Sequence, residues 1–219
     1  FLSSWLDNKI FSLIFVLLCF LFIVNGANLI DGFNGLLTIN LLIINSVLLY
    51  INVNNNIFEF SLFITAQIII LLCFLLFNFP RAKIFLGDSG SYLLGSLTTL
   101  NIIFTNNLDP SISAFFFCIL LFYLFFEVFF SFFRKLSQQK SPLLPDQDHL
   151  HMLVYKYLKN NYPSEHNNYL TSVYINIVYL ILVSPGIYFM HNPLFSSCWF
   201  FVLLVFYTVF YLRLYKSSK

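Results

Sequence analysis

Four polar side chains recur at intervals of three along the stretch NGANLIDGFNGL: Asn25, Asn28, Asp31 and Asn34. Gly26, Gly32 and Gly35 are threaded between them. A carboxylate at the centre of a lipid-facing helix costs about 2.5–3.5 kcal/mol on insertion scales. Asp31 is therefore expected to face a protein interior or water. Steps of three residues on an α-helix drift by about 60°, which fans these groups over half the cylinder, as the wall of a wet cavity requires. Capping of a helix end by asparagine and glycine explains one or two such residues, but not four. A calcium-binding EF-hand loop is excluded, because its spacing and its closing glutamate are both missing.

A second polar segment, KIFLGDSGSYLLG, runs from Lys83 and centres on Asp88. GDSG is also the nucleophile sequence of trypsin-like proteases. Here all four histidines (His149, His151, His166 and His191) follow Ser89, and the composition cannot build a disulfide-stapled β-barrel. Asp88 reads better as a hard oxygen ligand between glycines that let backbone approach a phosphate. The plainer alternative is a loop with a helix N-cap at Asp88 or Ser89.

The third segment, PDQDHLHM, closes a loop that carries Arg134, Lys135 and Lys140. Its two histidines lack the partner pair or the nearby cysteine that a zinc site needs. Donors around an anion fit better. Acidic oxygens, amides, glycine-rich backbone and basic donors together equip a chain for phosphoryl transfer, which depends on positioning and charge neutralisation. Oxygen ligands without thiolates point to Mg²⁺ or Mn²⁺.

These segments interrupt a chain of 219 residues that is 59% hydrophobic and only 9% charged. Soluble domains carry about 25% charged residues, so this one is built for a lipid bilayer. Seven apolar runs, near 10–24, 36–53, 57–77, 92–105, 112–133, 169–190 and 194–212, read as spans. The first and fourth are short and are expected to borrow neighbouring motif residues. The expectation is an all-α, multi-pass transmembrane helical bundle of about seven spans, forming one integral membrane domain over 1–219. Cys19, Cys73, Cys118 and Cys198 lie inside apolar runs and read as inert hydrophobes. A net charge of +2 gives no reason to expect nucleic acid.

Lys and Arg gather on the cytoplasmic side of membrane proteins. Threading the seven runs alternately puts ten of the 11 basic residues on one side, with only Lys9 on the other. All three polar segments fall on that same side. The active-site loops are thus expected at the cytoplasmic face.

At these residues the sequence resembles the polyprenyl-phosphate N-acetylhexosamine-1-phosphate transferases, the bacterial undecaprenyl-phosphate sugar-phosphate transferases. Three motifs match in order: N-x-x-N-x-x-D-G-x-[DN]-G-L at 25–36, F-L-G-D-x-G-S at 85–91, and S-P…D-x-x-H-x-H at 141–151. The resemblance implies transfer of a sugar 1-phosphate from a UDP-sugar to a polyprenyl phosphate, with release of UMP, in the bacterial inner membrane. It implies a metal at Asp88 with Asn28 nearby and Asp31 as an essential acid. Gly32 and Asn34 would border the uridine, Phe85 would stack on uracil, and Lys83 would join the substrate contacts. His149, His151 and Arg134 would hold the diphosphate or the sugar. The HxH form is similar to the branch that starts O-antigen and other surface polysaccharides, and room for a homodimer is expected. Met152 and Lys135 depart from the pattern, which commonly has a third histidine and a second arginine there.

Members of that family also carry an adjacent aspartate pair on an earlier loop, and these 219 residues contain no Asp-Asp. With Phe1 first, the chain is expected to be the C-terminal two-thirds of such an enzyme. A multi-pass transporter is the alternative reading, because transporters also break apolar helices with polar groups at their binding sites.

Overall fold

The computed structural model describes residues 8–141, 144 and 147–217. Pro142 and Asp146 of the third motif lie outside these residues. The described residues form nine helices joined by short connections: α1 Lys9–Ile30, α2 Leu36–Asn54, α3 Phe58–Asn78, α4 Gly87–Leu108, α5 Ala114–Leu120, α6 Phe122–Ser137, α7 Leu150–Asn161, α8 Asn167–Tyr188 and α9 Pro193–Ser217. Both short runs do borrow motif residues. Helix α1 continues through Asn25 and Asn28 to stop at Asp31, and α4 begins at Gly87 so that Asp88 falls in its first turn.

Among the described residues α1, α2, α3, α8 and α9 are each long and apolar enough to cross a membrane, and α5 with α6 makes a sixth span if counted together. Helix α4 has the length of a span, at 22 residues, but turns a polar side inward. The run 112–133, read as one continuous span, is instead broken at Leu121, where α5 and α6 meet at 77°. Tyr179 of α8 donates its hydroxyl to the carbonyl of Leu120. A side chain inserted at a helix carbonyl is a recognised cause of such a kink.

A ladder of amides and hydroxyls fixes how α2, α3 and α4 sit together. Asn45 and Asn52 on α2, and Ser91, Thr98 and Thr105 on α4, recur every seventh residue and so share one stripe on each helix. Asn45 donates to Thr98 Oγ1 at 3.0 Å and Asn52 to Thr105 Oγ1 at 2.8 Å. Asn101 donates to Asn45 Oδ1 at 2.9 Å and to Gln67 Oε1 of α3 at 2.8 Å. All of these groups are buried, where hydrocarbon offers no alternative partner.

Two glycines of the polar segments serve packing rather than a ligand. A Cβ on Gly26 would lie 2.1 Å from the carbonyl oxygen of Leu124, so α1 crosses α6 in backbone contact. A Cβ on Gly95 would lie 2.7 Å from the Cβ of Ala27, which closes α1 onto α4. These crossings bring the end of α1 beside the start of α4.

Bonds between connections define the two ends of the bundle. At one end Asn34 donates to the carbonyl of Pro80 and its N–H donates to Asn168, while the N–H of Gly35 donates to Asn78. At the other, Asn55 donates to Asp109, the N–H of Ser113 donates to the carbonyl of Met190, and Ser111 meets His191. The polar segments that the structure describes all lie at the first end.

Candidate active site

The first centre is made where α1 stops and α4 starts. Asn28 Nδ2 donates to Asp88 Oδ1 at 2.9 Å and to Ser91 Oγ at 3.0 Å, while Ser91 donates back to the carbonyls of Gly87 and Asp88. The amide nitrogen of Asn28 is thereby spent on orienting the carboxylate, leaving its oxygen as the atom of metal-ligand type. Asp88 is exposed and Asp31 half-buried. Burial, and then the negative charge of Asp88, raise Asp31 to about 6. Two neighbouring carboxylates with an amide oxygen beside them are a donor set suited to a hard divalent cation. Among the described residues no three His, Cys, Asp or Glu side chains are placed to hold one metal ion, so such an ion would complete its shell with water or phosphate oxygens, as Mg²⁺ commonly does.

The wall beside these carboxylates is open. A Cβ on Gly32 or on Gly87 would meet nothing within 4 Å. Gly87 also has φ +63, a left-handed backbone that costs other residues strain. Asp88 sits in the first turn of α4 while the helix starts from Leu86 without a side-chain cap, so the alternative of an N-cap at Asp88 or Ser89 is not realised.

The second centre lies around the histidines. His149 is still extended, with ψ 152, and His151 is in the first turn of α7, so the two rings lie on the same side. Their centroids are 5.6 Å apart and their planes 5° from parallel. Phe33, from the loop between Asp31 and Asn34, meets the His151 ring edge-on at 5.6 Å and so joins the two centres. Burial pushes His151 down to about 4, against the pull of Glu127. It is therefore neutral at pH 7 and cannot bring positive charge to an anion. Arg134 is turned inward: its Nη1 stands 3.6 Å from Asp148 Oδ2, its Nη2 donates to Ser131, and its guanidinium lies 5.9 Å over the Tyr211 ring.

The model of the family described as glycosyl transferase family 4 matches residues 1–106. An undecaprenyl-phosphate alpha-N-acetylglucosaminyl 1-phosphate transferase of Thermotoga maritima is 34% identical over 139 residues, 63% of this chain and 41% of that protein. A phospho-N-acetylmuramoyl-pentapeptide-transferase of Clostridium perfringens is 33% identical over 100 residues, 46% of this chain and 32% of that protein. One of Leuconostoc mesenteroides is 47% identical over 74 residues, 33% of this chain and 22% of that protein. The matched stretches thus cover less than half the length of each of these relatives.

The matched region, residues 1–106, contains the first two motifs whole and stops before the third. Within it Asn34 is held by the loop 79–86 and α8, as described above. Lys83 and Phe85 stand on that same loop, exposed, Phe85 at 76%. A large aromatic face left that open is available for stacking. Outside the matched region lies the residue that sequence reasoning missed. Glu127 of α6 is 1% exposed and its Oε1 is 3.1 Å from His149 Nδ1. The signal was present: a glutamate between phenylalanines in an apolar run is a candidate functional group by default.

Proposed function

We propose that this chain is part of a membrane transferase that moves an N-acetylhexosamine 1-phosphate from a UDP-sugar to undecaprenyl phosphate and releases UMP. The observation that carries the reading is Asp88 held by Asn28 beside Asp31, against the open wall of Gly32 and Gly87. A phosphate oxygen of the lipid attacks the β-phosphorus of the UDP-sugar. The bond from that phosphorus to the oxygen shared with the α-phosphate breaks, UMP leaves, and a lipid diphosphate sugar remains. Asp88 and the amide oxygen of Asn28 would hold a Mg²⁺ or Mn²⁺, which when bound neutralises phosphate charge. Asp31 adds a second carboxylate to that site. Gly32 lets the nucleotide approach, Phe85 stacks on the uracil, and Lys83 lies within the same loop to meet a phosphate. His149 meets the diphosphate or the sugar. The names of relatives of two kinds, one adding N-acetylglucosamine 1-phosphate and one a muramoyl-pentapeptide, support the shared reaction. The His149-x-His151 pattern favours the branch that starts surface polysaccharides such as O-antigen.

Exchange of labelled UMP into UDP-N-acetylglucosamine by the full-length protein, dependent on Mg²⁺ and undecaprenyl phosphate, tests the reading. Exchange that needs neither would overturn it. The gathering of Arg81, Lys83, Lys156, Lys159, Arg213 and Lys216 near the motif end supports a cytoplasmic orientation in a bacterial inner membrane. A cysteine at Asn107, exposed at the far end of α4, is expected to label from outside the cell, and one at Ser137 only after permeabilisation. The reverse pattern would invert the topology.

A further inference from the structure

Glu127 is a carboxylate that the chemistry above leaves unused. It lies in the bent span α5–α6, within the run FFEVFF, and is buried. An ionisable group at such a position is retained against a cost and needs partners. Glu127 has three, brought by two other helices. Its Oε1 accepts from His149 Nδ1 at 3.1 Å and from the backbone N–H of Leu150 at 3.0 Å. Its Oε2 accepts from the hydroxyl of Tyr207 on α9. Tyr123, one turn earlier on α6, and His151 also lie near it.

We propose that Glu127 is the positioning residue of His149, fixing the hydrogen on its Nδ1 and the plane of its ring for the substrate's phosphates or sugar. The inference rests on the transferase reading. An acceptor oxygen facing Nδ1 requires that nitrogen to carry hydrogen, so Nε2 is the nitrogen whose protonation changes. Carboxylates behind functional histidines set tautomer and orientation in this way. The same Oε1 also takes the N–H of Leu150, an orphan donor at the start of α7. Helix start and ring therefore share one acceptor and cannot shift independently. Tyr207 in turn holds the carboxylate from α9, so a chain of buried bonds ties the imidazole to α6 and α9.

A cap for α7 and nothing more is the competing account. Glu127→Gln does not separate the two, because an amide oxygen at the Oε1 position serves ring and Leu150 alike. Leu150→Pro does: it deletes only the N–H, at a first helical position that suits proline, after a His149 that is already extended. Adding Glu127→Leu then removes the ring's acceptor with no cap left to lose. In the full-length protein, kcat is expected to fall by about 10²–10⁴-fold from Leu150→Pro to the double variant, by analogy with loss of the carboxylate behind a histidine. KM for the UDP-sugar should change by less than about threefold, because orientation at the reacting centre is lost and uniform binding is not. Adding His149→Gln should cost nothing further, since both changes remove one device. Unchanged kcat, or losses that multiply, would overturn the proposal.

Nitrogen NMR of ¹⁵N-histidine-labelled protein, with His149 assigned from His149→Gln, reads the tautomer without any turnover. The Nδ1–H signal is expected in the wild type and in Leu150→Pro, and should give way to Nε2–H when Glu127→Leu is added. The same signal with and without Glu127→Leu would overturn the proposal. If the wild type shows no UMP exchange, the transferase reading fails while this measurement still decides the Glu127–His149 relationship. Should those variants not fold, Tyr207→Phe removes only the Oε2 donor. A loss of about tenfold in kcat, with a mixed tautomer, is then expected, and a wild-type rate and spectrum would overturn the proposal.

Discussion

Asn28 and Asp88 are 60 residues apart in sequence, yet the amide of one donates to the carboxylate of the other at 2.9 Å. Asn28 is on the last turn of α1 and Asp88 on the first turn of α4, so the bond joins two helix ends of opposite direction. It also leaves Asp88 exposed while fixing one of its oxygens. A carboxylate that is both oriented and open is arranged to meet something from outside the protein.

Asp88→Asn keeps size and hydrogen bonding but removes the charge that would offset a cation beside two phosphates. Loss of one such electrostatic stabiliser typically costs about 10²–10³ in turnover. Glu59→Gln is the control, since Glu59 is exposed in the first turn of α3 at the far end. Surface changes of that kind lie within about 0.5 kcal/mol, or a factor of about two. Equal activity of the two variants at saturating Mg²⁺ would remove Asp88 from the metal site.

Gly26→Ala and Gly32→Ala separate packing glycines from site glycines. A Cβ at Gly26 meets the Leu124 carbonyl at 2.1 Å, which neither backbone can avoid without moving. Overpacking of this kind costs about 1–3 kcal/mol or more, so the thermal midpoint in detergent should fall by several degrees. A Cβ at Gly32 meets nothing within 4 Å, so its midpoint should hold while KM for the UDP-sugar rises severalfold. If Gly32→Ala leaves KM unchanged, the open wall is not where the nucleotide binds.

The helical class, the positions of most spans and the gathering of three motifs at one end could all be read from apolar runs and basic residues. What could not be read was any relationship across helices. Asn45, Asn52 and Asn101 sit in apolar runs and pass for a compositional excess of asparagine, because their partners Thr98, Thr105 and Gln67 lie on other helices. The break at Leu121 has no proline or glycine to announce it. The carbonyl beside it, that of Leu120, is taken by Tyr179, almost sixty residues later. Glu127 was visible as a charge but not as a partner of His149. Gly26 belonged to a motif, which hid that it serves a helix crossing.

Asn101→Leu tests the ladder. It leaves Asn45 Oδ1 and Gln67 Oε1 buried without their donor. An acceptor orphaned in this way costs about 1–3 kcal/mol, while interhelical bonds in membrane proteins average nearer 0.6 kcal/mol. A loss above 1 kcal/mol is expected, because two acceptors are orphaned at once. Replacing Asn45 and Gln67 by leucine as well should recover part of it, since apolar partners then meet in an apolar site. If the triple variant is less stable than Asn101→Leu alone, the ladder contributes through packing rather than through its hydrogen bonds.

His151 predicts how stability depends on pH. It is 1% exposed, between His149 and Phe33, and burial lowers it from the usual 6.5 to about 4. Above pH 6.5 neither the folded nor the unfolded chain carries its proton, and His151 adds no pH dependence. Between 6.5 and about 4 only the unfolded chain binds that proton, so stability falls as pH falls. The interval corresponds to about 3 kcal/mol at most. Asp31 works in the opposite sense. Raised from 3.8 to about 6, it lets the folded chain hold a proton that the unfolded chain has lost, which favours the fold as pH falls through that window. The raw midpoint of the wild type therefore mixes two opposed effects. His151→Gln removes one and leaves the other. The difference in thermal midpoint between wild type and His151→Gln, followed from pH 7.5 to 4.5, isolates the histidine. The wild type should lose stability relative to the variant across that range. Parallel curves would mean that His151 takes up its proton in the fold as readily as in water, and so is not buried as a neutral ring.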